Sequence, residues 1–186
     1  LDHSIFAVDA QTYAIVWQED ISAAIPGSPA IGPDGQLYVG SLASQLERFD
    51  PATGQHNSVL DAEYWIWSTP VLDGSTLYLG DLKGNFYSFD TSTAALNWSI
   101  QPDEDDAITA NAILQNSHLL LATEAGNIYA IGKDGKTLWF EEVGGKIYTT
   151  PVVAGDLILV APLGIDFYLV ALDMNGRQVW TYPPEN

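Results

Sequence analysis

The chain has 186 residues, with 24 Asp and Glu against 6 Lys and Arg, for a formal net charge of −18. A surface of that sign repels phosphate backbones and anionic lipid heads, so it argues against nucleic acid as a partner. No cysteine is present, which excludes disulfides, cysteine-ligated zinc, iron–sulfur clusters and thiol catalysis.

The charge is unevenly placed: residues 1–132 carry 17 acids and 2 bases, and residues 133–186 carry 7 acids and 4 bases. The simplest account of the excess is solubility in a chain with few lysines. The longest apolar run, residues 157–163, has strand length and falls well short of the roughly 20 residues of a membrane span. A direct membrane span is therefore not expected, and a lipid anchor outside the given residues stays open. No leader-type segment opens the chain, whose first residue is Leu. It reads as a mature product or a segment of something longer.

In chain order, residues 5–8 and 14–17 are short apolar runs around the turn residues 9–12, which reads as one hairpin. Four longer units follow, at roughly 26–60, 67–100, 109–142 and 148–182, after a half unit at 1–20. The unit is plainest in the second of these. There, apolar runs at 69–72, 76–79, 85–89 and 95–98 are separated by Asp73-Gly74-Ser75, by 81–84 and by 90–93. Gly tolerates positive φ, and Asp and Ser bond their own backbone, so these separators are turns between antiparallel strands. Four strands in about 30 residues form a small sheet with two apolar faces, which needs copies of itself to be covered.

Three registers confirm the repetition. Ser28-Pro29 recurs as Thr69-Pro70, Asn111-Ala112 and Thr150-Pro151, at spacings of 41, 42 and 39. Trp17, Trp98, Trp139 and Trp180 form a second series, with Ser58 in the slot that lacks a Trp. Asp9, Asp50, Asp90 and Asp173 form a third, with Gly132 in the remaining slot. The run Asp103-Glu104-Asp105-Asp106 falls between units. It lacks the spaced oxygens of a calcium loop and reads as a solvated connection.

These residues resemble a known family. Ala7-x-Asp9-x-x-Thr12-x-x-x-x-Trp17 is similar to the tryptophan-docking repeat of the quinoprotein-type (PQQ-like) β-propellers. So are Phe49-Asp50-Pro51-Ala52-Thr53-Gly54 and Phe89-Asp90-Thr91-Ser92-Thr93 with Trp98, and the stretches Ala130 to Trp139 and Ala171 to Trp180 match with a shorter turn. The strand openings at Ser/Thr-Pro and the Leu37-Tyr38-Val39-Gly40 strand also fit. The resemblance implies an all-β propeller of four-stranded antiparallel blades. About four and a half blades lie in a single domain, 1–186, as part of a larger seven- to eight-bladed ring. It also implies that Trp17, Trp98, Trp139 and Trp180 are structural, each lying over the neighbouring blade's turn, with a weaker contact where Ser58 stands. In character the chain looks closest to the non-catalytic envelope scaffold propellers of the outer-membrane assembly lipoprotein type.

Enzymes of the resembled family hold a quinone against a vicinal disulfide beside a calcium ion and a catalytic Asp. The absence of Cys removes that disulfide, and no Asn-Glu-Asp group matches the calcium and base residues. His3, His56 and His118 occupy unrelated places in the repeat, so they read as solvated or turn histidines rather than metal ligands. Gly144-Gly145-Lys146 precedes a strand, where a phosphate loop needs a helix. No catalytic residue, cofactor or metal is therefore expected.

A fourth register marks a binding surface. Ile25, Ile66, Ile108 and Ile147 are equivalent, and Pro26, Trp67, Thr109 and Tyr148 follow them. In a propeller such loops ring the mouth of the central channel, and Tyr64-Trp65-Ile66-Trp67 puts three aromatics in four residues. Tyr64, Trp65, Trp67 and Tyr148 are the expected partner-binding mouth; the competing reading is that Ile66 and Trp67 plug the channel as core. The expected function is a non-catalytic scaffold that binds protein, in a larger complex, in the cell envelope or outside the cell (periplasmic or lipoprotein-like). The alternatives are a fragment of a quinone-dependent oxidoreductase and a carbohydrate-binding propeller.

Overall fold

The computed structural model describes residues 3–183, so the outer limits of the expected domain, 1–2 and 184–186, lie outside the described residues. All the regular structure described is β-strand. A hairpin of β1 (Ser4–Val8) and β2 (Ile15–Asp20) comes first. The next sheet is β3 (Ala30–Ile31), β4 (Leu37–Gly40), β5 (Gln45–Phe49) and β6 (His56–Asp61). The second is β7 (Val71–Asp73), β8 (Thr76–Gly80), β9 (Phe86–Asp90) and β10 (Ala95–Ile100). The third is β11 (Ile113–Leu114), β12 (His118–Ala122), β13 (Asn127–Gly132) and β14 (Thr137–Glu142). The fourth is β15 (Val152–Ala154), β16 (Leu157–Val160), β17 (Leu169–Asp173) and β18 (Gln178–Tyr182). Each is an antiparallel meander, with sequence neighbours adjacent in space.

The core lies between sheets. In the third sheet Leu119, Leu121, Tyr129 and Ile131 pack with Tyr78 and Phe86 of the second. The alternate residues Leu120, Ala122, Ile128 and Ala130 pack with Ile158, Val160, Val170 and Leu172 of the fourth. Successive side chains of a strand point to opposite faces, so each middle strand serves two neighbours and reads as continuously apolar. The same arrangement joins the second sheet to the first and the first to the opening hairpin. This is the radial stacking of a β-propeller.

Trp17, Trp98 and Trp139 sit at these joints, whereas Trp180 stands 39% exposed on the outer strand of the last sheet. Trp17 donates its indole N–H to the Pro51 carbonyl at 2.8 Å, and Trp98 does the same to Lys133 at 3.0 Å. Trp17, Trp98 and Trp139 each lie against one turn glycine with positive φ: Gly54, Gly135 and Gly176 respectively. Opposite each Trp in its own sheet stands a small residue, namely Ala7, Ser88 and Ala130, and Ala171 faces Trp180 in the same way. The slot without Trp departs in all three places: Ser58 faces Glu47, and the next turn has Ala94 at φ 54 where the others have Gly. Glu47 thus stands where the other sheets put a small residue against their Trp. Glu47, nearly buried, takes a contact from His56 Nδ1 at 3.1 Å, and His56 stacks on Phe49.

Near the strand openings a second set of links runs from sheet to sheet. Ser28 N–H donates to Thr69 Oγ1 at 3.0 Å, Thr69 N–H to Asn111 Oδ1 at 2.7 Å, and Asn111 N–H to Thr150 Oγ1 at 3.1 Å. The Ser/Thr/Asn register is therefore a chain of side-chain acceptors for backbone N–H groups that no strand partner reaches.

Candidate functional site

Ile66, Ile108 and Ile147 are fully buried. The Ile66 and Ile108 side chains fill the space that a Cβ at Gly40 and Gly80 would take, and Ile147 joins the cluster around Ala122. One backbone bond recurs beside each: Leu82 N–H to Trp65 O at 2.9 Å, Glu124 N–H to Ala107 O at 2.8 Å, and Leu163 N–H to Lys146 O at 2.8 Å. With the isoleucine turned inward on an extended backbone, its two neighbours face the other way. That is why Trp65 and Trp67 are both outside.

They face a cleft of about 570 Å³ whose walls are Tyr64, Trp65, Trp67, Leu82, Ala107, Thr109, Glu124 and Tyr148. All four aromatics named from the sequence meet there, brought from the approaches to the second and fourth sheets. Trp65 is 45% exposed, Trp67 41% and Tyr148 48%. The channel-plug alternative divides: Ile66 is core, and Trp67 is open to the cleft. Pro26, the fourth residue of that register, is not in its wall. The Tyr64 and Trp65 rings stack at 5.3 Å, and Lys83 Nζ lies 5.8 Å from the Tyr64 ring centre.

Two carboxylates brace the cleft, Glu124 in its wall and Asp81 behind the aromatic loop, and the sequence pattern assigned neither to it. Asp81 is fully buried. Its Oδ2 accepts from Tyr64 N–H at 3.2 Å, Asn85 Nδ2 at 2.9 Å and Tyr87 Oη at 2.9 Å, while Oδ1 accepts from the Lys83 and Asn85 N–H groups. Tyr87 Oη in turn accepts from Glu63 N–H at 2.9 Å, and burial pushes its phenol up. The aromatic loop is thus tied to the β8–β9 turn. Glu124 accepts from Tyr148 Oη at 3.1 Å and lies 3.5 Å from Lys146 Nζ. That hydrogen bond to a carboxylate holds the Tyr148 phenol above its ordinary pKa. Asp81 was legible in principle, since Ser41, Asp81 and Thr123 open equivalent turns.

The acidic run is not merely a solvated connection. Asp106 is 7% exposed, and its Oδ1 accepts from Ala125 N–H at 2.7 Å. Asp103 Oδ2 accepts from Asn127 Nδ2 at 3.1 Å and Tyr129 Oη at 3.3 Å. Backbone and phenol donors of the third sheet need acceptors, and the connection supplies them. His56 is an exposed residue just after its turn, with contacts to Glu47 and Phe49. His118 departs from the solvated or turn reading, because its Nε2 is buried, which lowers the ring's pKa. Among the described residues no group of three or more His, Asp or Glu is arranged to hold a metal ion. A further cleft of about 560 Å³, walled by Tyr129, Phe140 and Glu142 among others, lies toward the outer strand of the third sheet.

Residues 1–113 and 104–186 match the family described as outer membrane protein assembly factor BamB. The chain belongs to that family. Two relatives carry the same description. The one from Burkholderia pseudomallei (strain K96243) is 28% identical over 115 residues, which is 61% of this chain and 29% of the relative. The one from Shewanella oneidensis is 23% identical over 134 residues, 64% of this chain and 33% of the relative. The chain thus spans about a third of the length of these relatives. The crystal structure of BamB from Moraxella catarrhalis superposes with a TM-score of 0.74 at 18% identity, over 91% of this chain and 56% of that one. The computationally designed Ika8 protein superposes at 0.72 and 15% identity, over 97% of this chain and 53% of that one. At such identities the structures speak for the fold, and the BamB family match speaks for kinship.

Proposed function

We propose that this propeller is a non-catalytic scaffold of the cell envelope that docks a protein partner during outer-membrane protein assembly, through the mouth formed by Tyr64, Trp65, Trp67 and Tyr148. The observation that carries the reading is the convergence of these four exposed aromatics on one cleft in a chain of an assembly-factor family. Rigid aromatic surface around a recess is what interface hot spots are made of. In this reading the docked partner belongs to a larger complex, as the assembly-factor description of the family suggests. The blades here form part of a seven- to eight-bladed ring, a reading supported by the 56% share of the Moraxella catarrhalis chain that they cover.

The test is a benzoylphenylalanine cross-linker placed at 65 or 67 in the full-length protein in its own envelope, with Trp65→Ala/Trp67→Ala as the affinity variant. Cross-linking to one defined assembly protein is expected, with its affinity falling at least about tenfold in the double variant. No cross-link, or unchanged affinity in a folded variant, rejects the mouth as the docking site.

A further inference from the structure

The aromatic cleft is not alone at the mouth. A smaller recess of about 280 Å³ adjoins it, sharing Ala107 and Glu124 in its wall. That recess is walled by Asp103, Glu104, Asp105, Asp106 and Glu124, against Lys146 as its one base. Among the described residues three buried side-chain polar atoms lack a hydrogen-bond partner, and two lie here: Asp106 Oδ2 in the acidic wall and Thr109 Oγ1 in the aromatic one. Asp106 is 7% exposed, so its unpartnered Oδ2 leaves an unmet acceptor under the recess with little water to satisfy it. A buried acceptor without a donor is destabilising until a donor or a cation approaches.

From this geometry we infer that the mouth selects a basic segment of its protein partner, an arginine or lysine seated against the Trp65, Trp67 and Tyr148 rings with its charge facing Glu124 and the acidic wall. The inference rests on the docking reading above and adds the chemistry of the docked segment. Planar guanidinium groups stack on indole and phenol faces and pair with carboxylates at the same time. The two halves of the mouth supply those two contacts side by side. The chain's own cations illustrate the affinity: Lys83 lies over Tyr64, and Lys146 turns to Glu124. Against them the acidic wall keeps an excess of carboxylates. A net charge of −18 steers a basic segment toward the protein before contact.

The probe is an acetylated, amidated nonapeptide with two arginines among leucines, alongside its citrulline counterpart, which has the same shape and no charge. Each is titrated into the full protein and followed by tryptophan fluorescence. The arginine peptide is expected to bind saturably and at least about tenfold more tightly than the citrulline peptide, with affinity falling as salt rises. Glu124→Gln with Asp105→Asn should remove most of that preference while thermal stability is unchanged. Asn suits position 105, which has a φ of 55. Equal binding of the two peptides, or binding of neither, overturns the inference. If the cross-link at 65 or 67 persists in the Glu124→Gln/Asp105→Asn protein with unchanged affinity, docking stands and its basic character falls. Weakened partner binding in Trp65→Ala/Trp67→Ala together with equal peptide affinities likewise keeps the docking site and removes its preference for a cation. A mouth that takes a glycan in place of either peptide also refutes it.

Discussion

Gly54→Ala tests the joint between sheets most directly. Gly54 has a φ of +76, and a Cβ there would stand 2.8 Å from Trp17 Cδ2 and 2.9 Å from Cε3. Ala in the left-handed region costs about 1 kcal/mol by itself. The indole, only 9% exposed and held by Pro51 O at 2.8 Å, has to move. Losing that hydrogen bond removes about 1 kcal/mol, and lifting the ring off the turn removes about another 1 kcal/mol of packing. The expected loss is therefore about 3 kcal/mol. In a Trp17→Ala background, itself about 3–4 kcal/mol less stable, the same change should cost only the backbone part, about 1 kcal/mol. A double-mutant cycle measured by urea unfolding with circular dichroism should thus give a coupling of about 2 kcal/mol. Additivity within about 0.5 kcal/mol would refute the claim that glycine is there to admit the indole.

Other consequences are equally open to measurement. Ser58→Trp alone should not stabilise, because Glu47 faces it and Ala94 occupies the turn. With Glu47→Ser and Ala94→Gly added, the triple variant should exceed the sum of the singles by about 1–2 kcal/mol in urea melts. Asp81→Ala strands the Tyr64, Lys83 and Asn85 N–H groups, the Asn85 amide and the Tyr87 hydroxyl. It should cost about 3–5 kcal/mol and loosen the aromatic loop, seen as faster hydrogen exchange around Tyr64. On acidification, turn donors hold Asp9, Asp90 and Asp173 below the ordinary carboxylate value of 3.8. Burial holds His118 below 6.5. A depressed pKa means that the unfolded chain takes up protons first. Thermal stability should therefore begin to fall below pH 6.5 and fall further below 3.8, as Tm against pH will show. At the alkaline end Tyr38 and Tyr129 are pushed up to about 12. Their absorbance change should appear only near that pH or with unfolding.

Local chemistry made the strands and turns legible. Asp9, Asp50 and Asp90 take backbone N–H groups two and three residues on, and such contacts depend on neighbours in sequence alone. A period near 41 carried through Trp, Asp, Ser/Thr and Ile then specified the sheet and its repetition, because one sheet cannot cover its own two faces. The cleft's aromatic wall was partly legible for the same reason: a register that turns Ile66 inward turns Trp65 and Trp67 outward.

What escaped the sequence depends on partners far along the chain. The acidic run looked solvated because nothing nearby announces that Asp106 meets Ala125 or that Asp103 meets Tyr129. Asp81 looked like an ordinary turn residue until its carboxylate proved to hold the aromatic loop 17 residues earlier. Ser58 looked like an isolated lapse in the Trp series, and the fold places the nearly buried Glu47 opposite it. The sequence by itself determined the strands, the repeat and the residues able to line a mouth. Only the tertiary structure decided which carboxylates face those aromatics, because burial and charge at a joint are properties of two sheets together.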